Sequence, residues 1–198
     1  VDLGLVVLLA IAAVWLAAGV VAEGLPRLPT AVALHRRTGL LAGLAALGLV
    51  GLGGVVLTGL LVDGPTVADR VAVGLMLPAG SAVTVALLTV RRVYRLRRGA
   101  GAFASAPRTP APPTLRAAAA HPLVASPVQV TALVMLPVLV DATGLVPLDS
   151  PGGLGVLLTG VILVVGAIGV RHALRHSSLA EHAVTVRTRS SGTRVLHV

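Results

Sequence analysis

Five long apolar runs constrain this chain more than any other feature. They cover residues 3–22, 38–62, 71–90, 128–146 and 154–170, and Asp141 is the one charged residue inside them. A helix needs about 20 apolar residues to cross the roughly 30 Å of hydrocarbon in a bilayer. Water is absent there, so every backbone N–H and C=O has to be satisfied within a helix or a closed barrel. The runs are continuous, without the alternation of apolar and polar residues that a barrel strand needs. The expected fold is therefore all-α, a polytopic transmembrane helical bundle of about five spans. Charged residues make up 12% of the chain, about half of what a soluble domain carries.

Turn signals punctuate the runs. Glu23-Gly24 with Pro26 and Pro29 closes the first, and Asp63-Gly64-Pro65 closes the second. Arg91-Arg92 ends the third, Gly144 with Pro147 the fourth, and Arg171 the fifth. The first run has no basic region before it and is longer than a signal-peptide core, so it is read as a retained span.

Every basic residue other than histidine is arginine, and the arginines alternate from one connection to the next. The first carries Arg27, Arg36 and Arg37; the second carries Asp63 and Asp69 with only Arg70. The third carries Arg91, Arg92, Arg95, Arg97, Arg98, Arg108 and Arg116, and the fourth has Asp149 and no arginine. The tail after the fifth run holds Arg171, Arg175, Arg187, Arg189 and Arg194. Under the positive-inside rule this predicts an N-terminus outside and a C-terminus in the cytoplasm. The net charge of +9 is thereby explained by topology, and no nucleic-acid partner is expected. The expected location is a bacterial cytoplasmic (inner) membrane, crossed several times.

Residues 1–98 are read as a three-span part and 99–127 as an Ala/Pro-rich cytoplasmic linker. Residues 128–176 form a two-span part and 177–198 a flexible cytoplasmic tail. No internal repeat links the two membrane parts.

A few residues bear on chemistry. Gly39-x-x-x-Gly43 is a small-xxx-small pair that lets helices approach closely, within the bundle or between subunits. Asp141, near the end of the fourth run, is a possible intramembrane acid, and such a residue is a functional candidate by default. Arg70, at the start of the third run, is its possible partner on the same side. Pro78 and Pro137 are expected to kink their spans. Arg91, Arg92, Arg95, Arg97 and Arg98 follow the third span directly and are placed to meet anionic lipid headgroups.

His172 and His176 have the i, i+4 spacing of metal ligands, but Arg171 and Arg175, interleaved with them, oppose a cation. The start of the second span, His35-Arg36-x-x-Gly39, is like that of helices holding b-type haem, but all histidines lie outside the apolar runs, where a buried haem would not find them. The chain has no cysteine, which removes thiolate sites, and three aromatic residues, too few for a stacking cage. No cofactor and no catalytic residues are expected.

Val14-Trp15-Leu16-Ala17-Ala18-Gly19, with Leu57-Thr58-Gly59-Leu60, resembles the first two helices of copper-resistance-D-like bacterial membrane proteins. Those helices carry a histidine about two turns before the tryptophan, where this chain has Leu8, so the resemblance brings no copper or haem ligand with it.

These features point to a non-enzymatic accessory, scaffold or assembly subunit packing through Gly/Ala-rich helix faces. Its partners would be the lipid bilayer, other membrane subunits or further copies of the chain. The alternatives are a small transporter or proton-coupled carrier using Asp141 and, with less support, a metal- or haem-binding redox subunit.

Overall fold

The structure, a computed structural model, describes residues 3–61, 74–106, 108–143 and 151–195. These form six α-helices, and no strand occurs among the described residues beyond one isolated bridge between Thr30 and Pro110. The helices are α1 (Leu3–Gly24), α2 (Ala31–Leu61), α3 (Met76–Ala102), α4 (Pro113–Ala119), α5 (Pro122–Thr143) and α6 (Pro151–Val195). A 3-10 turn, Leu25–Arg27, follows α1. The bundle is thus all-α, as expected, and α1, α2, α3 and the α4–α5 segment are each long and apolar enough to cross a membrane. The fifth apolar run lies in the first half of α6.

Helix α1 packs on α5 and α2, α2 on α3, and α3 on α5; α6 lies against α5 and α4. Trp15, Leu8, Leu41, Leu52, Val85, Val128 and Met135 form the centre of the core. The outward faces carry Leu9, Leu16, Leu47, Val50, Val83 and Ile162 in the open, a surface suited to lipid.

Several helices outrun the apolar stretches, because polarity alone does not stop a helix. α2 starts at Ala31, where the Thr30 hydroxyl accepts the Ala33 N–H at 3.3 Å as an N-cap. α3 continues to Ala102 because Val93, Leu96 and Ala100 form a buried stripe at helical spacing, with the arginines around it. α6 runs on to Val195 where a flexible tail was expected, and no Gly or Pro interrupts residues 170–191. Its 45 residues measure about 68 Å at 1.5 Å each. More than half of it thus extends beyond a hydrocarbon core of about 30 Å.

The stretch expected to be a flexible linker, with a helical turn or two around Leu115 to Ala120, holds the helix α4 at that place and is docked. Pro113 and Pro122 open α4 and α5, a position where the missing N–H costs nothing. Ala111 N–H donates to Pro29 O at 2.8 Å and Ala31 N–H to Thr109 O at 3.0 Å, tying this stretch to the connection after α1.

Pro137 lies inside α5, but Pro78 is placed differently than expected. Pro78 falls in the first turn of α3, where no helical hydrogen bond is lost. The irregularity in α3 is instead a π-helical turn, Val85–Thr89. Pro127, inside α5, frees the carbonyl of Leu123 one turn back, and Thr89 Oγ1 donates to that oxygen at 2.8 Å. The last residue of the π-turn therefore satisfies the backbone group that the proline leaves open.

The close approach of α1 and α2 depends on Gly48 and Gly51 rather than on Gly39 and Gly43. A Cβ on Gly48 would sit 2.8 Å from Trp15 Cε2, and one on Gly51 would sit 3.1 Å from Ile11. A Cβ on Gly43 would have no neighbour within 4 Å, and the nearest group to one on Gly39 is the Arg97 guanidinium at 3.5 Å, on α3.

Candidate functional site

The polar cluster with the most converging side chains lies where α1, α5 and α6 meet, at the arginine-rich end of the bundle. Its centre is Glu23, on the last turn of α1, with a side chain only 18% exposed. Arg175 Nη1 donates to Glu23 Oε1 at 2.9 Å and to the Glu23 backbone carbonyl at 3.2 Å. Arg171 Nη2 reaches the same oxygen at 2.5 Å, from a side chain that is 62% exposed. The i, i+4 spacing of these arginines puts both on one face of α6, so one carboxylate receives both.

The second oxygen faces α5. Gln129 Nε2 donates to Glu23 Oε2 at 3.3 Å, and Gln129 Oε1 accepts from His172 Nε2 at 2.7 Å. That contact requires the proton on Nε2. His172 is almost fully buried, with Nε2 also 3.6 Å from Glu23 Oε2. Gln129 thus bridges an acid and a histidine, and the small Gly19 leaves room for it: a Cβ there would lie 3.4 Å from Gln129 Cγ. These side chains hold three helices together and neutralise a carboxylate that the bundle half-encloses.

A crevice of about 600 Å³ opens beside this cluster. Its polar end is formed by Glu23, Gln129, Arg27, Arg37, Arg171 and His172. From there it runs between α1, α5 and α6 along Leu16, Val20, Leu133, Leu136 and Ile168.

A second group lies where α4 turns into α5. His121 and His176 meet with ring centroids 4.9 Å apart and ring planes tilted by 56°, beside Arg92 and Arg95. His121 Nδ1 accepts the Leu123 N–H at 3.2 Å, and His176 Nδ1 donates to Ala117 O at 3.1 Å. His121 stands in the turn before α5, outside the apolar runs.

His172 and His176 therefore face different partners, one α5 and the other α4, and do not converge on a shared ligand position. No group of three metal-ligating side chains occurs among the described residues. His35, at the start of α2, donates from Nδ1 to Arg97 O at 3.0 Å and ties α2 to α3. Arg91, Arg95, Arg97 and Arg98 are exposed around the end of α3, and Arg92 is half-buried. Asp141 is exposed on the last turn of α5, while Arg70, its expected partner, lies outside the described residues.

Sequence reasoning passed over Glu23, treating it as a stop signal, and did not single out Gln129. Two signals were available: an amide among apolar residues in the fourth span, and an acid in a connection otherwise rich in arginine. None of the protein-family models, curated proteins or solved structures compared with the chain matches it.

Proposed function

We propose that the chain is a multi-pass protein of a bacterial inner membrane, N-terminus outside and C-terminus cytoplasmic, that serves as an accessory or scaffold subunit. One observation supports this reading above others. The polar side chains that converge at the arginine-rich end bond to one another and join helices, while broad apolar faces of α2 and α6 stay open. Val50 on α2 is 73% exposed, and Ile162 and Leu163 on α6 are 69% and 68% exposed. Such faces suit lipid or the helices of neighbouring subunits, where van der Waals packing drives association. The carrier reading through Asp141 and the metal or haem reading gain no comparable support, since Asp141 is exposed and the histidines diverge.

Two measurements test the proposal. A C-terminal reporter fusion should be active in its cytoplasmic form and silent in its exported form; the reverse pattern overturns the orientation. Native mass spectrometry of protein extracted in mild detergent at its natural abundance should show an assembly heavier than the 19.8 kDa chain. A bare monomer overturns the subunit reading.

A further inference from the structure

We infer that the crevice between α1, α5 and α6 binds one anionic phospholipid, with its phosphate on Arg27 and Arg37 and an acyl chain between the helices. The inference rests on the multi-pass reading above, and its test can fail independently of the reporter fusion and the mass of the assembly.

Charge selects the headgroup. The mouth of the crevice carries Arg27, Arg37 and Arg171 against one acid, Glu23, a net charge of +2 from three cations and one anion. Glu23 is already bonded to Arg171 and to Arg175, so it adds little repulsion toward an incoming phosphate. Arg27 and Arg37 are exposed and have no ion pair among the described residues. One belongs to the turn after α1 and the other to the first turns of α2, so a phosphate between them would bridge two elements. Arginine presents a planar fork of donors that matches phosphate geometry.

Shape selects the tail. Leu16 lies seven residues before Glu23 on α1, and Leu136 seven residues after Gln129 on α5, each about 10 Å along its helix. α1 descends toward the arginine-rich end and α5 rises from it, so both walls become apolar in the same direction. Ile168, one turn before His172 on α6, forms the third wall. The crevice is therefore polar at the level of the arginines and apolar toward the bilayer centre, which is the polarity of a phospholipid in that leaflet. Its volume of about 600 Å³ lies within the range of about 300–1,000 Å³ usual for small-molecule sites. A free phosphate ion would leave the apolar walls bare, and an apolar helix of a second subunit would leave Arg27 and Arg37 unmet.

The test uses the full chain, delipidated in detergent and titrated with phosphatidylglycerol or with phosphatidylcholine of the same chains, retention being read by native mass spectrometry. The wild type should retain one phosphatidylglycerol in preference to phosphatidylcholine. Arg27→Gln with Arg37→Gln should lower that retention roughly 30-fold, five- to six-fold for each arginine. Leu136→Trp, at a site already 46% exposed, should fill the crevice and reduce retention while an unchanged melting curve shows the fold intact. Arg108→Gln, at an exposed position between α3 and α4 that does not line the crevice, should leave retention as it was. Equal retention of the two lipids, or an unchanged preference in the Arg27/Arg37 variant, would overturn the inference. So would displacement of the lipid by inorganic phosphate alone, which would mark a free-anion site.

Discussion

Replacing Glu23 by glutamine tests whether the cluster at its centre holds α6 to the bundle. Glutamine keeps the size and one acceptor oxygen but removes the charge that two arginines share. Arg175 is 20% exposed against an 18% exposed partner, and a hydrogen bond to a charged group in such a setting contributes about 1.5–3 kcal/mol. Arg171 is 62% exposed, so solvent screens its pairing and at most about 1 kcal/mol is expected from it. The sum, roughly 2–4 kcal/mol, corresponds to a 30- to 1,000-fold shift in the docking equilibrium of α6. Unfolding in mixed micelles of rising SDS content should show that loss.

The chain has no cysteine, so Ile168→Cys gives a single label on the face of α6 that lines the crevice. Its reaction with a maleimide should be at least about tenfold faster when Glu23 is glutamine. Double-mutant cycles separate the two arginines: the Glu23–Arg175 coupling should exceed the Glu23–Arg171 coupling by a factor of two or more. Absent coupling to Arg175, or equal coupling to both, would refute the reasoning from burial.

Two further expectations concern other parts of the bundle. Gly48→Ala places a Cβ 2.8 Å from the Trp15 ring and should cost about 1–3 kcal/mol by overpacking. Gly43→Ala, with open space around it, should stay within about 0.5 kcal/mol, and thermal melts in detergent compare the two.

The spans were legible because hydropathy reports on a helix's immediate solvent, and here the contrast is large. Their ends were less so. Arg91 to Arg98 stop an apolar run, yet the helix continues because Val93, Leu96 and Ala100 still find a core to pack against. The prolines of the expected linker were read as marks of a flexible connection with a turn or two of helix, although at the first position of a helix proline costs nothing. Gly39 and Gly43 have the spacing of a packing motif, but which face of α2 meets α1 depends on the depth of Trp15, and that depth sets Gly48 against the ring.

Asp141 and Glu23 show why the cluster was harder to find than the fold. Position along one helix can be read from its sequence, and by that measure Asp141, inside an apolar run, is the unusual acid. What a side chain meets sideways depends on the other helices, and Asp141 turns out exposed. Glu23 ends its run and looks ordinary, yet α6 brings two arginines and a histidine to the same level. The topology itself supplies the missing clue. In a chain of alternating spans, the end of the first, the start of the fourth and the end of the fifth share one leaflet, so Glu23, Gln129, His172 and Arg175 are neighbours in depth before any packing is known. Positive-inside loops favour arginine, so with the proposed orientation an acid in the first of them is a departure from the pattern. Such a departure marks a carboxylate with work to do among those arginines, and here the work is to fasten the last helix to the first.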